Sequence, residues 1–189
     1  MMTENSVKKR LDNINAISIA IDTYDDIFSD FDPRDISQRD LSEDFIIELM
    51  RRHRQTLRGR YDVTLVAPKI IEDHEAEKKI VSRLNKYFHQ KYLRYLKRIR
   101  EIRVQGLFYI AAGMAILVAL ALHLNYVKDP NLITPTILGI MFTPIGWFGM
   151  WEGFSKIVEI PFKLANDTEA YKRLSKASYK FEYIGEEKK

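Results

Sequence analysis

The sequence predicts an α/β membrane protein: a two-helix transmembrane hairpin with a small cytoplasmic α/β domain of about three strands on a long helical stalk. Two uncharged runs and one strand–helix–strand pattern predict it. From Val104 to Val127, 24 residues pass without Asp, Glu, Lys or Arg, and from Pro130 to Trp151 another 22 do so. The rest is dense in charge, with 30% Asp, Glu, Lys and Arg over the 189 residues and a formal charge of +4. The boundaries follow: 1–103, α/β domain and stalk; 104–127, first span; 128–131, a short outer connector; 132–151, second span; 152–189, a helix and a strand that complete the domain. There is no cysteine, which excludes a disulfide framework, a Cys-ligated metal and a thiol nucleophile. The first apolar run lies too far from Met1 to be a signal peptide.

In chain order, Asn13–Asp22 alternates Ile17, Ile19 and Ile21 against Ala16 and Ala20, the period of a strand covered on at least one side. Leu41–Arg60 is an amphipathic helix, with Phe45, Ile46, Leu49, Met50, His53 and Leu57 on one face. Ser42 is placed as its N-cap, Leu41 as a staple to Ile46, and Gly59 as its end. Tyr61–Pro68 alternates again, and strand–helix–strand favours a parallel pair with a right-handed crossover. From Asp73 the pattern turns helical. Ile80, Leu84, Phe88, Tyr92, Tyr95, Ile99 and Ile102 recur every three or four residues, and no Gly or Pro falls between Glu72 and Gln105. One helix therefore enters the membrane unbroken, about 80 Å long from Asp73 to Tyr126 at 1.5 Å per residue. Its apolar stripe needs a partner, either the soluble domain or a second copy. The second span continues as EGFSKIVEI to Pro161, Asp167–Ala177 forms a short helix capped by Asn166 or Asp167, and Ala177–Ile184 is a strand with Tyr179, Phe181 and Tyr183 on one face. That strand joins the first two.

Gly106–Leu124 carries no charge apart from His123 and has the length of a span, as does Asn131–Trp151 despite Pro135 and Pro144. Lys97, Arg98, Arg100 and Arg103 precede the first span. Lys156, Lys163, Lys172 and Arg173 follow the second. The connector holds only Lys128 and Asp129, so the positive-inside rule places both termini in the cytoplasm. Tyr126 suits the outer interface, and Trp147 and Trp151 the inner. Ala111, Ala115 and Ala119, with Gly113 beside them, and Gly139, Gly146 and Gly149 opposite, supply small residues for close helix packing. Threonine hydroxyls at Thr134 and Thr143 compensate carbonyls freed by the prolines that follow them.

Chemistry is sparsely marked. Asp22–Asp35 holds six aspartates, among them Asp25, Asp26, Asp30 and Asp32 as candidate metal ligands, but the spacing is not that of an EF-hand and aspartate also favours turns. Phe28 and Phe31 are expected to anchor this loop. Arg51–Arg60 is expected to pair with it, and Glu152 and Glu159 to pair with Arg100 or Arg103. Lys78–Arg103 holds ten Lys or Arg against one acid, Glu101. Beside a span, such a stretch favours anionic lipid, at about 1 kcal/mol per cation, over nucleic acid, despite the four interleaved aromatics Tyr87, Phe88, Tyr92 and Tyr95. No P-loop, dinucleotide fingerprint, zinc-helix or serine-elbow motif occurs. His53, His74, His89 and His123 lack ligand spacing, and no cofactor is implied.

FSDFDPRDISQRDLSEDF (Phe28–Phe45), a strand and basic helix, and GWFGMWEGFSKIVE (Gly146–Glu159) resemble a group of uncharacterised prokaryotic two-span membrane proteins. The likeness rests on Ser29-Asp30-Phe31-Asp32-Pro33 and on Trp147, Trp151 and Glu152. It implies the architecture and no catalytic residue. The expected function is non-enzymatic: a self-associating membrane scaffold, or an accessory subunit of another membrane protein. A small oligomeric channel is the first alternative, and a metal-dependent hydrolase using the acidic loop the second.

Overall fold

The computed structural model describes residues 16–55, 62–127 and 133–185. The chain is mostly helical, with one small sheet and one long apolar helix. In order come β1 (Ala16–Ala20), a 3-10 turn (Tyr24–Ile27), α1 (Glu43–Gln55), β2 (Asp62–Pro68), a second 3-10 turn (Lys69–Ile71), α2 (His74–Tyr126), α3 (Ile133–Phe154), a π-helical turn (Ser155–Glu159), α4 (Ile160–Leu174) and β3 (Ser178–Ile184). Two compact units result. One runs to Tyr92 and resumes at Glu169; the other is Leu93–Thr168.

In the first unit all strands are parallel, in the order β1-β2-β3. The register places Ile17 beside Val63 and Ile19 beside Leu65, then Val63 beside Tyr179 and Leu65 beside Phe181. One face is therefore Ile, Val, Leu and aromatic throughout. It packs on Phe45, Leu49 and Met50 of α1, on Ile80, Leu84 and Phe88 of α2, and on Ala170 and Leu174 of α4. The other face carries Ser18, Ala20, Lys180 and Glu182, exposed on the two outer strands, and on β2 buried Thr64 and half-buried Val66. This is why Ile17, Ile19 and Ile21 alternate with small polar or apolar residues instead of forming a continuous apolar run. The strand read at the C-terminus does join the first two, as expected. On the edge strand β1, the Ser18 carbonyl accepts a hydrogen bond from the Arg52 guanidinium, covering a backbone group that edge pairing would otherwise use.

Several local expectations change. α1 is described to Gln55; Leu57, Gly59 and Arg60 lie outside the described residues. Ser42 does stand at its start, its carbonyl accepting the Ile46 N–H at 3.1 Å. Phe28 is buried, but Phe31 is 98% exposed and does not anchor the loop among the described residues. The loop instead closes through Phe28, bridged antiparallel to buried Leu41.

α2 is continuous over 53 residues, as the absence of Gly and Pro before Gly106 implies. Asp73 caps it, accepting the Glu75 N–H at 2.9 Å and the Ala76 N–H at 3.2 Å. Among the described residues it is the one helix long and apolar enough to cross a membrane, and 6% of its most apolar 18-residue stretch is buried.

Pro161 does not end a helix, and no separate helix starts at Asp167: the helical path runs from Ile133 to Leu174. Proline lacks an N–H and its ring clashes with the carbonyl four residues earlier, here Ile157. The π turn Ser155–Glu159 widens the backbone where that carbonyl lies, so the chain absorbs Pro161 without breaking. Pro135 falls in the first turn of α3, where its missing N–H costs nothing, and Pro144 is interior.

Candidate functional site

The second unit holds the residues expected to meet lipid and to pack helices. Lys97 pairs with Glu101 one turn on, at 3.8 Å. Arg98, Arg100 and Arg103 are exposed. Lys97, Arg100, Glu101, Val104 and Gln105 line a shallow cleft, so the basic stretch passes directly into the apolar one. Trp147 and Trp151 are both about two-thirds exposed, and Tyr126 more so.

The close packing lies on glycines, and only partly where expected. A Cβ on Gly113 would stand 2.5 Å from the Gly146 carbonyl oxygen and 2.9 Å from the Met150 nitrogen. One on Gly146 would stand 2.6 Å from Leu117 Cγ, one on Gly153 2.6 Å from the Gly106 carbonyl oxygen, and one on Gly106 2.8 Å from that of Gly153. The backbones of α2 and α3 thus touch along Gly106 and Gly113 on one side and Gly146, Gly149 and Gly153 on the other. Ala111, Ala115 and Ala119 are exposed and take no part in this seam. At 3.6 residues per turn, Ala111 and Ala115 each lie nearly opposite Gly113. Nothing lies within 4 Å of a Cβ at Gly139, so that glycine is not a contact point. Gly106 and Gly153 were not singled out in the sequence; their seven-residue spacing from Gly113 and Gly146 was the available signal.

Glu152 and Glu159 do not reach the stalk. Glu152 pairs with Lys156 at 3.1 Å and Glu159 with Lys163 at 2.6 Å, each one turn away on its own helical path. Lys156 also sits 5.5 Å over the Tyr109 ring, a cation–π contact between the two sides.

In the first unit the acidic loop is spent on its own backbone and on arginines. Asp26 accepts the N–H groups of Asp22 and Thr23 at 2.7 and 3.0 Å, closing the 3-10 turn. Asp25 pairs with Arg39. Asp32 takes a two-pronged bond from Arg34 and the Asp40 N–H at 2.7 Å. The Arg34 guanidinium holds the Asp32 carboxyl well below the usual carboxylate range. Asp35 accepts the Ser37 hydroxyl at 2.6 Å, which lowers it too. Asp30 is exposed. Among the described residues no three His, Asp or Glu side chains converge as metal ligands. Of the patch expected to pair with this loop, Arg51 and Arg52 bind Glu48, and Arg58 and Arg60 lie outside the described residues. Among the described residues this region pairs with Arg34, Arg39 and Arg83, the last bonding Asp40 at 3.2 Å.

A third cluster went unnoticed in the sequence, because its members are far apart there. Beyond the carboxyl ends of the strands, Tyr24 Oη accepts the Asp73 N–H at 3.1 Å and lies 2.9 Å from Tyr183 Oη. Tyr183 donates to Glu77 Oε1 at 2.5 Å, and His74 Nδ1 is 3.1 Å from the same oxygen. The Asp73 N–H can only donate and the Glu77 carboxylate only accept, so the order is fixed: Tyr24 donates to Tyr183, and Tyr183 to Glu77. Burial, then the bond to Glu77, pushes the Tyr183 hydroxyl upward, away from any role as a base at neutral pH. Ligands of open α/β sheets bind at this end, at the point where strand order reverses. Here the order 1-2-3 never reverses, and the cluster acts as a staple joining β1, β3 and the start of α2.

In comparisons with known proteins, no family model matches the chain, and neither a curated protein nor a solved structure is significantly similar to it.

Proposed function

We propose that this chain is an integral membrane protein whose two spans, within α2 and α3, form an antiparallel hairpin, with both termini and the α/β domain on the cytoplasmic side. The function that fits best is non-enzymatic: a self-associating scaffold, or an accessory subunit, that holds the domain at the inner face of a membrane. One observation carries the reading. The most apolar stretch of α2 is 6% buried, whereas a core helix of that composition would be covered by its own protein. The glycine seam supports it, because backbone contact through small residues is how helices pack where lipid removes the hydrophobic drive. The exposed Trp147 and Trp151, the arginines before the apolar run and the resemblance to two-span prokaryotic membrane proteins point the same way. Self-association is suggested by the stalk stripe. Ile80, Leu84 and Phe88 of that stripe are consumed by the domain core, but farther along the stalk Leu93 and Leu96, beside the stripe, remain exposed for a second copy or a membrane partner.

Native mass after mild detergent extraction tests the assembly: a defined homo-oligomer or a stoichiometric second protein is expected, and a bare monomer refutes it. Because the chain has no cysteine, single cysteines report topology without background. Asp129→Cys should react with an impermeant maleimide in intact cells and Ser175→Cys only after lysis; the reverse pattern, or equal labelling, removes the hairpin.

A further inference from the structure

Ser37, Lys78, Lys79, Ser82, Arg83 and Lys86 line a cleft of about 370 Å³ in the first unit, within the size range of small-ligand sites. We propose that this cleft binds a phosphate-bearing ligand, with Arg83 as its floor and Lys78 and Lys86 closing on the phosphate oxygens. Every ionisable side chain lining it is a cation. Lys79 is matched by Glu75 at 3.2 Å. Lys78 and Lys86 are exposed and form no ion pair among the described residues. They stand eight residues apart on α2, about 12 Å along the axis, with Ser82 midway. Their flexible four-carbon stems can bring both ammonium groups to an anion seated at Ser82.

Arg83 supplies the second, independent observation. It is 9% exposed, and its guanidinium has five N–H donors. One goes from Nε to the Arg39 carbonyl at 2.8 Å and one from Nη2 to Asp40 at 3.2 Å. The remaining three meet no acceptor among the described residues. No Arg83 nitrogen is both sealed from solvent and unpartnered among the described residues, so these donors are open, and a ligand oxygen in the cleft can accept them in place of water. The Asp35 carboxylate near the rim accepts the Ser37 hydroxyl and interacts with Lys79; it forms no ion pair with Lys78 or Lys86 among the described residues. Two unmatched ammonium groups, a planar fork and a serine hydroxyl suit a dianion with three equivalent oxygens better than a carboxylate. A free phosphomonoester and a phosphomonoester lipid headgroup share that chemistry.

Calorimetry on the full chain in zwitterionic detergent, at fixed ionic strength, tests it with two probes: inorganic phosphate and dihexanoyl phosphatidic acid. Saturable one-site binding is expected, weakened about tenfold or more in K78Q/K86Q, the loss of at least one charge-assisted bond. Similar affinity for both probes assigns the site to a soluble phosphomonoester; phosphatidic acid binding more than about tenfold tighter assigns it to lipid. Both lysines are exposed, so the double variant should keep the parent melting temperature. Arg83→Met should abolish binding, and if that variant does not fold, K78Q/K86Q decides alone. No saturable binding of either probe up to about 10 mM, or K78Q/K86Q within twofold of the parent, overturns the proposal.

Discussion

Replacing Gly113 with alanine adds one methyl group where α2 and α3 touch. That methyl would stand 2.5 Å from the Gly146 carbonyl oxygen and 2.9 Å from the Met150 nitrogen, where ordinary contact begins at 3.4 Å. Both neighbours are backbone, so no side chain can turn aside, and the seam must open by most of an ångström. Opening it forfeits dispersion contacts along the shared length, and over-packing of this kind costs about 1–3 kcal/mol. Gly139→Ala is the matched control: the same change, on the other partner helix, into open space. There only helix propensity acts, favouring alanine by about 0.8–1 kcal/mol. The two substitutions should therefore differ in sign. In a chain this size the Gly113→Ala cost lowers the melting temperature by roughly 2–12 °C. Trp147 and Trp151, the two tryptophans of the chain, both lie on α3, so intrinsic fluorescence during a thermal ramp in detergent reports on this seam. Equal melting of Gly113→Ala and Gly139→Ala would refute the contact.

Phe28→Ala should cost about 3–5 kcal/mol by urea denaturation, because Phe28 is buried, whereas Phe31→Ser, at a fully exposed ring, should change stability by less than about 0.5 kcal/mol. Tyr183→Phe breaks the hydrogen-bonded link from Tyr24 to Glu77 and should cost about 1–2 kcal/mol, a loss that Tyr179→Phe should not reproduce at Glu77 when the Glu77 carboxyl is followed by NMR. Asp32→Asn should speed hydrogen exchange at the Arg34 and Asp40 amides, and Asp30→Asn should not. In acid, Glu48 is held at about 2, against an ordinary 4.5, by Arg51 and then Arg52, and Asp32 and Asp73 are also lowered. Carboxyls lowered in the folded state contribute stability above their unfolded values and lose it as pH falls through the folded ones. Urea midpoints should thus drop between about pH 4.5 and pH 2. His53, lowered by burial and then by Arg173, should add a shallower decline that begins below its ordinary 6.5, since there the unfolded chain binds the extra proton.

Much of the first unit was legible because its signals are periodic and local. Ile17, Ile19 and Ile21 announce a strand covered on at least one side, and on β1 the opposite residues Ser18 and Ala20 are exposed. The unbroken run after Asp73 announces a single helix, because nothing in it can stop one. Tyr179, Phe181 and Tyr183 announce the third strand, and the register pairs them with Val63, Leu65 and Ala67. What stayed hidden depends on partners distant in the chain. Tyr24, Glu77 and Tyr183 are separated by 53 and 106 residues, and no spacing rule joins them. Where ion pairs differ from expectation, the reason is related. Glu48 lies three and four residues from Arg51 and Arg52, and such local pairing precedes any long-range match to the acidic loop. The same preference turns Glu152 and Glu159 toward Lys156 and Lys163.

The seam shows why small-residue spacing underdetermines packing. Alanine and glycine both read as small, and Ala111, Ala115 and Ala119 keep a tidy four-residue interval. Yet an alanine Cβ already fills the space that backbone contact needs: at Gly113 and Gly153 it would come within 2.6 Å of a carbonyl oxygen. A helix pair that approaches this closely must put glycine, not alanine, at the touching points. Once Gly113 faces α3, the helical period turns Ala111 and Ala115 outward. The seven-residue steps from Gly106 to Gly113 and from Gly146 to Gly153 are the two sides of one contact. On the proposed membrane reading, the outward alanines then lie on the face available to lipid or to another copy. A bulky substitution at Ala115 should therefore leave the α2–α3 seam intact, with a change in native mass if that face meets another copy and none if it meets lipid, whereas the same substitution at Gly113 should disturb the seam.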